Sequence, residues 1–291
     1  MAFPGSIIIT GANGFIGSEV LRCLRDKGVP GTRIVAVVRE KHGMGPRQRM
    51  AQVFSRWVRA GAVRQVASLA EFGDSIRCVT WDELQDVLAG APAGIPVTVV
   101  HCAADTAFDL TLEESRRINV GLTGKVIEAL KAARSQGGDK DLRLIHVSTA
   151  FVAGRRRGLI REDESDANAR GSSDFNNAYE QSKWEAEHLV RGAGIPWTIV
   201  RPSIVVGDSR SGFTLHFRVV YSVIRLWLRD VVPRAPVARD ARIDIVPSDF
   251  VAGAIVRLCE LPAAQTDGKT LHLCSGADAP GPVDVMAAAG R

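Results

Sequence analysis

The chain has 291 residues, of which 46% are hydrophobic and 24% are charged. This length and composition suffice for a large folded core and exclude an intrinsically disordered chain. The formal net charge of +5 favours an anionic partner, such as a nucleotide phosphate, a nucleic acid or an acidic protein.

Cysteine usage and hydropathy narrow the cellular setting. The five cysteines are scattered and no two have CxxC spacing, so we expect reduced thiols and neither a disulfide framework nor a metal site. No signal-type segment precedes the first apolar run, and no run reaches the length of a membrane span. The sequence therefore predicts a cytoplasmic protein without a transmembrane segment.

Apolar runs rich in β-forming residues alternate with helical patterns over the first two thirds of the chain. The predicted strands are 6–9, 33–38, 76–80, 97–102, 142–152 and 197–206. The predicted helices are 15–27, 47–60, 118–133 and 178–190. This order predicts an α/β fold, namely a Rossmann-like doubly wound parallel sheet with helices on both faces.

The regular alternation weakens after Gly207. We predict a dinucleotide-binding domain over 1–207 and a small C-terminal substrate-binding region over 208–291, interleaved with late strands of the sheet. The elements predicted there are an amphipathic helix within 213–228, strands 243–246 and 270–274, and a helix over 249–261. A further helix begins near Pro282. Truncation of the C-terminus, with partner domains attached covalently in a longer polypeptide, is therefore an open alternative.

The first motif with chemical meaning is T-G-x-x-G-x-x-G, placed between the first strand and the first helix. Gly11 permits a tight turn, Gly14 lets the backbone approach a pyrophosphate, and Gly17 lets the helix pack close to the sheet. The helix N-terminus would present N–H groups and a positive dipole to the phosphates. The residues expected to bind a dinucleotide here are Thr10, Gly11, Asn13, Gly14, Phe15, Ile16 and Gly17.

The end of the second strand indicates which dinucleotide binds. NAD-specific sites usually place an acidic residue there to bind the ribose 2′-hydroxyl, whereas this chain has Arg39. A guanidinium can bind a 2′-phosphate with paired hydrogen bonds. NADPH is therefore favoured over NADH, although the adjacent Glu40 could contact the ribose instead.

Two further patterns suggest proton transfer. Tyr179 and Lys183 are four residues apart, on one face of a predicted helix, and an ammonium near a phenol lowers the phenol pKa. Ser148 and Thr149 end the fifth predicted strand, where a hydroxyl could hold a substrate oxygen. Together with the glycine turn, these side chains predict hydride transfer coupled to proton transfer.

With these motifs in place, the chain resembles the extended short-chain dehydrogenase/reductases, and within them the thioester reductase and fatty acyl-CoA reductase (male-sterility-type NAD-binding) branch. The resemblance covers residues 7 to about 276. The stretches that carry it are 9–17, 101–104, 119–120, 146–154, 175–187, 201–209 and 244–249.

The resemblance implies roles for matching residues. Thr149, with Ser148 as the fallback, would be the catalytic hydroxyl, Tyr179 the acid and Lys183 its partner, which also touches the nicotinamide ribose. Further cofactor-binding residues implied are Arg49 at the 2′-phosphate, Asp82, Ala103 and Ala104 near the adenosine, Asn119, and Pro202, Ser203 and Ile204 at the nicotinamide. Asp82 is the least secure, because the usual Gly-Asp-Leu is Trp-Asp-Glu-Leu here.

Three functions are compatible with these residues. The favoured one is NADPH-dependent reduction of an acyl thioester, carried on CoA or an acidic carrier protein, to an aldehyde or alcohol. The second is a nucleotide-sugar epimerase or dehydratase, although Ala150 and Phe151 follow Thr149 where dehydratases usually have an Asp-Glu pair. The third is a non-catalytic dinucleotide-binding protein, which the presence of both Tyr179 and Lys183 disfavours.

The cationic run Arg155–Arg157 is expected to be exposed. It suggests contact with an acidic carrier protein or with a CoA phosphate, and the alternative is a solvated loop. The basic residues form no patch interleaved with aromatic residues, so we expect no nucleic-acid partner.

Overall fold

The structure, a computed structural model, describes residues 3–63, 66–136, 140–162, 174–215, 217, 220–229 and 241–289. The strands are β1 Ser6–Thr10, β2 Ile34–Val37, β3 Arg77–Val79, β4 Val97–His101, β5 Leu142–Val147, β6 Trp197–Pro202, β7 Ile204–Val206, β8 Ile245–Pro247 and β9 Lys269–Leu273. The helices are α1 Phe15–Asp26, α2 Pro46–Arg59, α3 Val66–Ser75, α4 Leu84–Ala89, α5 Leu112–Ser115, α6 Gly121–Ser135, α7 Ala178–Arg191, α8 Val220–Leu228, α9 Ser248–Glu260, α10 Ala263–Thr266 and α11 Pro282–Ala289.

Seven strands form the central sheet in the order β3-β2-β1-β4-β5-β6-β9. Every pair in it is parallel. The chain builds outward from β1 in one direction and then from β4 in the other, so the strand order reverses between β1 and β4. Ligands of open α/β sheets bind at the carboxyl ends of the strands beside such a reversal. The predicted Rossmann-like doubly wound sheet is confirmed.

Alternate residues of the central strands pack on opposite faces of the sheet. Ile7 and Ile9 belong to a core with residues of α1, α2 and α9, whereas Ile8 belongs to a core with residues of α4 and α6. Burial on both faces explains why these strands are continuous apolar runs, since neither side chain direction meets water.

Two predicted strands are too long. β5 ends at Val147, not at residue 152, because the Thr149 side chain accepts a hydrogen bond from the Phe151 N–H and begins a 3-10 turn over Ala150–Ala153. β6 ends at Pro202, and β7 then leaves the central sheet to pair with β8. Both departures occur at the carboxyl edge of the sheet, where they open space for a ligand.

Several other boundaries also differ from the prediction. The helix predicted over 118–133 is preceded by a π-helical turn, Arg116–Val120, and continues to Ser135. Among the described residues of the apolar stretch 213–228, only those of α8 are helical, and the structure does not describe residues 163–173. Helices α3 and α4 were not predicted, although Leu84, Val87 and Leu88 have helical spacing in α4, which is only six residues long.

Two absences concern the described part of the chain. No helix in it is long and apolar enough to cross a membrane. It also contains no group of three or more histidine, cysteine or acidic side chains that could hold a metal ion. All five cysteines are free.

Candidate active site

A cavity of about 830 Å³ opens at the carboxyl ends of β1, β4, β5 and β6. Most of the residues predicted for the site line it, although they come from distant parts of the sequence. These are Gly11, Asn13, Gly14, Phe15, Ile16, Arg39, Arg49, Ala103, Ala104, Thr149, Tyr179, Pro202, Ser203 and Ile204. The fold thus brings the glycine turn, the cations after β2 and the catalytic candidates around one space.

The glycine turn is built by close backbone contacts. Gly11 has a positive φ of 65°, and a Cβ there would come within 2.8 Å of Ala103. A Cβ on Gly17 would overlap the carbonyl oxygen of Gly11, so only glycine lets α1 start this close to the turn. Gly14 caps α1 without any side-chain hydrogen bond, and the first turn of the helix carries no acidic residue. This cradle fits a pyrophosphate at the helix N-terminus.

Three cations line the opposite end of the cavity from the catalytic candidates: Arg39, Lys41 and Arg49. The Arg49 guanidinium donates to the Arg39 backbone carbonyl at 2.6 Å, which fixes the guanidinium against the backbone after β2. Burial, and then the neighbouring Arg39, lower the pKa of Arg49. Mutually repelling guanidiniums at one spot favour an anionic ligand between them.

Lys41 reaches the cavity from a tight hairpin, and it was not among the residues predicted for the site. Its backbone N–H and carbonyl pair with Met44, and both residues between them, His42 and Gly43, have positive φ. Arg47, in contrast, points away from the cavity lining and pairs with Asp74 at 2.8 Å.

The catalytic candidates meet where β5 ends and α7 begins. Thr149 is 5% exposed, and its side chain lies close enough to that of Tyr179 to lower the pKa of the phenol. Asn177 caps α7 by accepting the Glu180 N–H at 3.0 Å, which sets the first turn of the helix and so the direction of Tyr179. The hydroxyls of Thr149 and Tyr179 therefore converge on one part of the cavity.

Tyr179 is a neutral phenol in this environment. Burial raises its pKa to about 12, although the neighbouring Thr149 hydroxyl acts in the opposite direction. The lowering of this pKa that we expected from Lys183 is not seen. The Lys183 ammonium donates to the Val147 carbonyl at 2.8 Å and contacts His146 Nε2 at 3.3 Å. A protonated phenol suits a group that donates a hydrogen bond or a proton to a substrate oxygen.

Lys183 lies beneath the cavity, behind its lining. Its side chain is among the largest that are fully buried, and burial lowers its pKa to about 8. Glu187, one turn further along α7, opposes this shift, and it is itself held by Arg201 with contacts of 2.9 and 2.7 Å. Lys183 therefore titrates close to neutral pH, inside the protein.

Asn119 also lies behind the lining, where it positions α7. Its amide nitrogen donates to the Asp105 carbonyl at 3.1 Å and to the Ser182 hydroxyl at 2.9 Å. Ser182 in turn donates to the Tyr179 carbonyl. Asn119 belongs to the π-helical turn before α6, and such turns occur frequently at functional sites.

Three more predicted site residues lie outside the lining. Thr10 is buried at the end of β1, where its hydroxyl contacts His101 Nδ1 at 2.7 Å. Gly17 packs beneath the glycine turn. Asp82 has an exposed side chain, and the neighbouring Trp81 lines the cavity in its place.

Sequence reasoning missed several lining residues. Phe108 is one of them, and its ring lies 6.0 Å from that of Tyr179. Others are Trp81, Cys102, Asp105, Asn176 and Glu180. Trp81, Cys102, Asp105 and Glu180 could have been found by position, because each lies at or just after the end of a strand or beside a residue already identified. Phe108 and Asn176 have no such signal.

Residues 91–255, more than half of the chain, match the family described as male sterility protein, which is a family of NAD-binding proteins. The chain belongs to this family. Among the curated relatives, the L-2-aminoadipate reductase large subunit of Penicillium chrysogenum is 26% identical over 273 residues. That match covers 89% of the chain but only 19% of the relative, so the chain corresponds to about a fifth of that protein.

Solved structures of reductase domains share the fold. The terminal R domain from the myxalamid PKS-NRPS biosynthetic pathway is 28% identical, with a TM-score of 0.73. The match covers 94% of this chain and 66% of the chain of that R domain. The reductase (R) domain of a nonribosomal peptide synthetase from Mycobacterium tuberculosis is 21% identical, with a TM-score of 0.72, over 98% of this chain and 71% of its own. The resemblance to thioester reductases inferred from the motifs is confirmed.

Proposed function

We propose that this protein reduces an acyl thioester with NADPH and releases an aldehyde, which a second round could reduce to an alcohol. The observation that carries the proposal is the convergence of Thr149 and Tyr179, above Lys183, on a cavity whose other end is a dinucleotide cradle. The reductase names of its relatives support this assignment.

The dinucleotide would lie along the cavity between two ends of different chemistry. Its pyrophosphate would lie on the glycine turn, where the missing Cβ of Gly14 allows close approach. Its 2′-phosphate would lie between Arg39 and Arg49, as we expected from the sequence, with Asp82 nearby. Pro202, Ser203 and Ile204 would contact the nicotinamide, and Ala103 and Ala104 the adenosine.

In this reduction the residues of the chain act on the carbonyl oxygen of the thioester. When bound, the dinucleotide supplies a hydride to the carbonyl carbon of the thioester. Tyr179 and Thr149 donate hydrogen bonds to the carbonyl oxygen, which becomes negatively charged as the C–H bond forms. Collapse of the resulting tetrahedral adduct re-forms the carbonyl and breaks the C–S bond. The thiolate leaves and takes up a proton, so one thioester gives one aldehyde and one thiol.

The substrate would arrive on CoA or on the phosphopantetheine arm of an acidic carrier protein. Arg155, Arg156 and Arg157 are exposed just after Phe151, a residue of the cavity lining. A cationic loop beside the entrance favours an acidic carrier or a CoA phosphate. The free cysteines favour a reducing compartment such as the cytoplasm.

Turnover with a panel of substrates tests the proposed function. NADPH oxidation should be measured with an acyl-CoA, an acyl carrier-protein thioester, an aldehyde and a UDP-sugar. We expect turnover of a thioester, and loss of it by a factor of about 10² to 10⁴ in Tyr179→Phe. Tyr221→Phe is the matched control, because this other tyrosine bonds the Gly207 N–H and lies outside the cavity lining. Turnover of the sugar alone, or full thioester turnover in Tyr179→Phe, would contradict the proposal.

A further inference from the structure

Two buried histidines lie side by side beneath the cavity. His101 on β4 and His146 on β5 are register partners, and their rings lie 5.4 Å apart. Both are essentially inaccessible to solvent. Burial, followed by the charge of Lys183, lowers the pKa of His101 to about 3 and that of His146 well below its ordinary value. Both imidazoles are therefore neutral, so each has one N–H and one lone pair to place.

The hydrogen bonds of His101 are accounted for within the fold. Thr123 donates its hydroxyl proton to the Asn119 carbonyl, so it accepts from His101 Nε2–H at 3.1 Å. His101 Nδ1 then accepts from the Thr10 hydroxyl at 2.7 Å. Both nitrogens are used in a structural chain from β1 to α6, and no hydrogen bond of His101 goes to Lys183.

The hydrogen bonds of His146 differ in kind. Its Nε2 lies 3.3 Å from the Lys183 ammonium, which is a donor only, so Nε2 must be the lone pair and Nδ1 must carry the proton. Nδ1 has no hydrogen-bond partner among the described residues. A buried donor without a partner is destabilising, and an apolar side chain at this position would avoid it. The imidazole is therefore explained by what Nε2 does for Lys183.

We propose that His146 is a positioning residue for Lys183. Its Nε2 accepts a hydrogen bond from the Lys183 ammonium and so favours the charged form of Lys183 beneath the cavity. The proposal rests on the proposed reduction, in which a charged Lys183 serves Tyr179 and the ribose. An ammonium has three donors, and Val147 and His146 engage two of them, which leaves one for a ligand.

The groups that face Lys183 set the direction of the expected effect. Burial lowers its pKa, whereas Glu187 on α7 and Cys102, directly after β4, raise it. The neutral His146 on β5 accepts a hydrogen bond that is stronger from the ammonium than from the neutral amine. Tyr179 lies one turn before Lys183 on α7, and Arg201 on β6 neutralises Glu187 in part. Removal of the His146 acceptor should therefore lower the pKa of Lys183 further, by about one unit, which is a tenfold change in the ratio of ammonium to amine.

The test compares three substitutions that differ in where they place an acceptor. His146→Leu removes it, His146→Asn places an amide oxygen too close to the backbone to replace Nε2, and His146→Gln places one near the position of Nε2. The pKa of Lys183 is read by NMR of protein with isotope-labelled lysine, and the Lys183 signal is assigned by its loss in Lys183→Met. His101→Leu is the matched control, because it removes a buried imidazole that does not bond Lys183.

We expect a pKa about one unit lower in His146→Leu and His146→Asn, a value near 8 in His146→Gln, and no shift in His101→Leu. The kcat for thioester at pH 8 should fall about fivefold in the first two and change little at pH 6.5, with KM unchanged. Equal pKa values in all the His146 variants, or no rescue by His146→Gln, would overturn the proposal. The NMR titration needs neither thioester nor NADPH, so its result stands apart from failure of the proposed function. Thermal denaturation identifies any variant that does not fold, and His146→Asn then replaces His146→Leu.

Discussion

The charged residues at the two ends of the cavity differ in burial. At the dinucleotide end, Arg39 and Lys41 are exposed, and Arg49 is only partly covered. At the catalytic end, Lys183 and Glu187 are buried with fixed partners. Exposed cations contribute little to folding and are free to select a ligand, whereas a buried charge must be held by the fold before it can act. Variants at the exposed end should therefore change ligand binding, whereas variants of buried charges should change catalysis or folding.

The largest effect is expected from the buried lysine. Lys183→Met should reduce kcat for thioester reduction by about 10²-fold or more, while the fold is kept, because an apolar side chain of similar length avoids the desolvation of a charge. Steady-state kinetics measures kcat, and thermal denaturation shows whether the fold is kept. Lys27→Met is the matched control, because that exposed lysine pairs with Glu260 on the surface. Equal losses in both variants would show that the effect does not depend on the buried position of Lys183.

A buried ion pair beneath the glycine turn should matter for folding. Arg22 donates to Asp208 at 2.6 Å. Burial raises the pKa of Asp208, but hydrogen bonds from Ser211 and Arg22 outweigh it and lower the pKa to about 2, from an ordinary value of 3.8. A lowered folded-state pKa stabilises the protein above pH 4, and this contribution, about 2 kcal/mol, is lost as the pH falls towards 2.

Asp208→Asn should therefore lower the free energy of unfolding at pH 7 by about 2 to 3 kcal/mol and flatten its fall between pH 4 and 2. Chemical denaturation over that pH range measures both. Asp74→Asn breaks the exposed pair with Arg47, and its effect should stay below about 0.5 kcal/mol. A pH dependence unchanged in Asp208→Asn would show that the buried pair does not act as described.

A smaller, ligand-specific effect is expected at the exposed end. Arg39→Ala should weaken NADPH binding about tenfold or more, because a charged hydrogen bond to the 2′-phosphate is lost, and leave NADH binding nearly unchanged. Arg47→Ala, which removes a cation outside the cavity lining, is the matched control. Titration of both dinucleotides checks this, and an equal loss for NADPH and NADH would contradict the assignment of the 2′-phosphate.

The smallest effect is expected from the middle glycine. Gly14 has φ −80°, and a Cβ there would lie 3.1 Å from the Gly11 carbonyl oxygen, so the fold can accept alanine with a small shift. Gly14→Ala should weaken dinucleotide binding severalfold with little change in Tm, because the methyl group occupies space meant for the pyrophosphate. Gly253→Ala in α9, where nothing lies within 4 Å, should raise Tm slightly and leave binding unchanged. The reverse pattern would show that Gly14 serves only the fold.

The sheet could be predicted from the sequence, and the cofactor-binding residues could be proposed from it, because both depend on local patterns. Apolar runs identify the strands, and the glycine turn lies within a few residues of one strand–helix junction. The catalytic candidates were also identified from local spacing, but their contacts with distant residues show in no local pattern. The bond of Lys183 with His146 and the end of β5 at Val147 instead of residue 152 are both of this kind.

The most direct test of the account is transfer of an isotope from the dinucleotide to the substrate carbon. Two samples of NADPH are used, each deuterated at one face of C4. With the wild-type protein, one of the two samples should give aldehyde that carries deuterium at C1. With Tyr179→Phe, the same label should appear far more slowly. NADPH oxidation without deuterium in the aldehyde from either sample, or label transfer at the wild-type rate in Tyr179→Phe, would contradict the account.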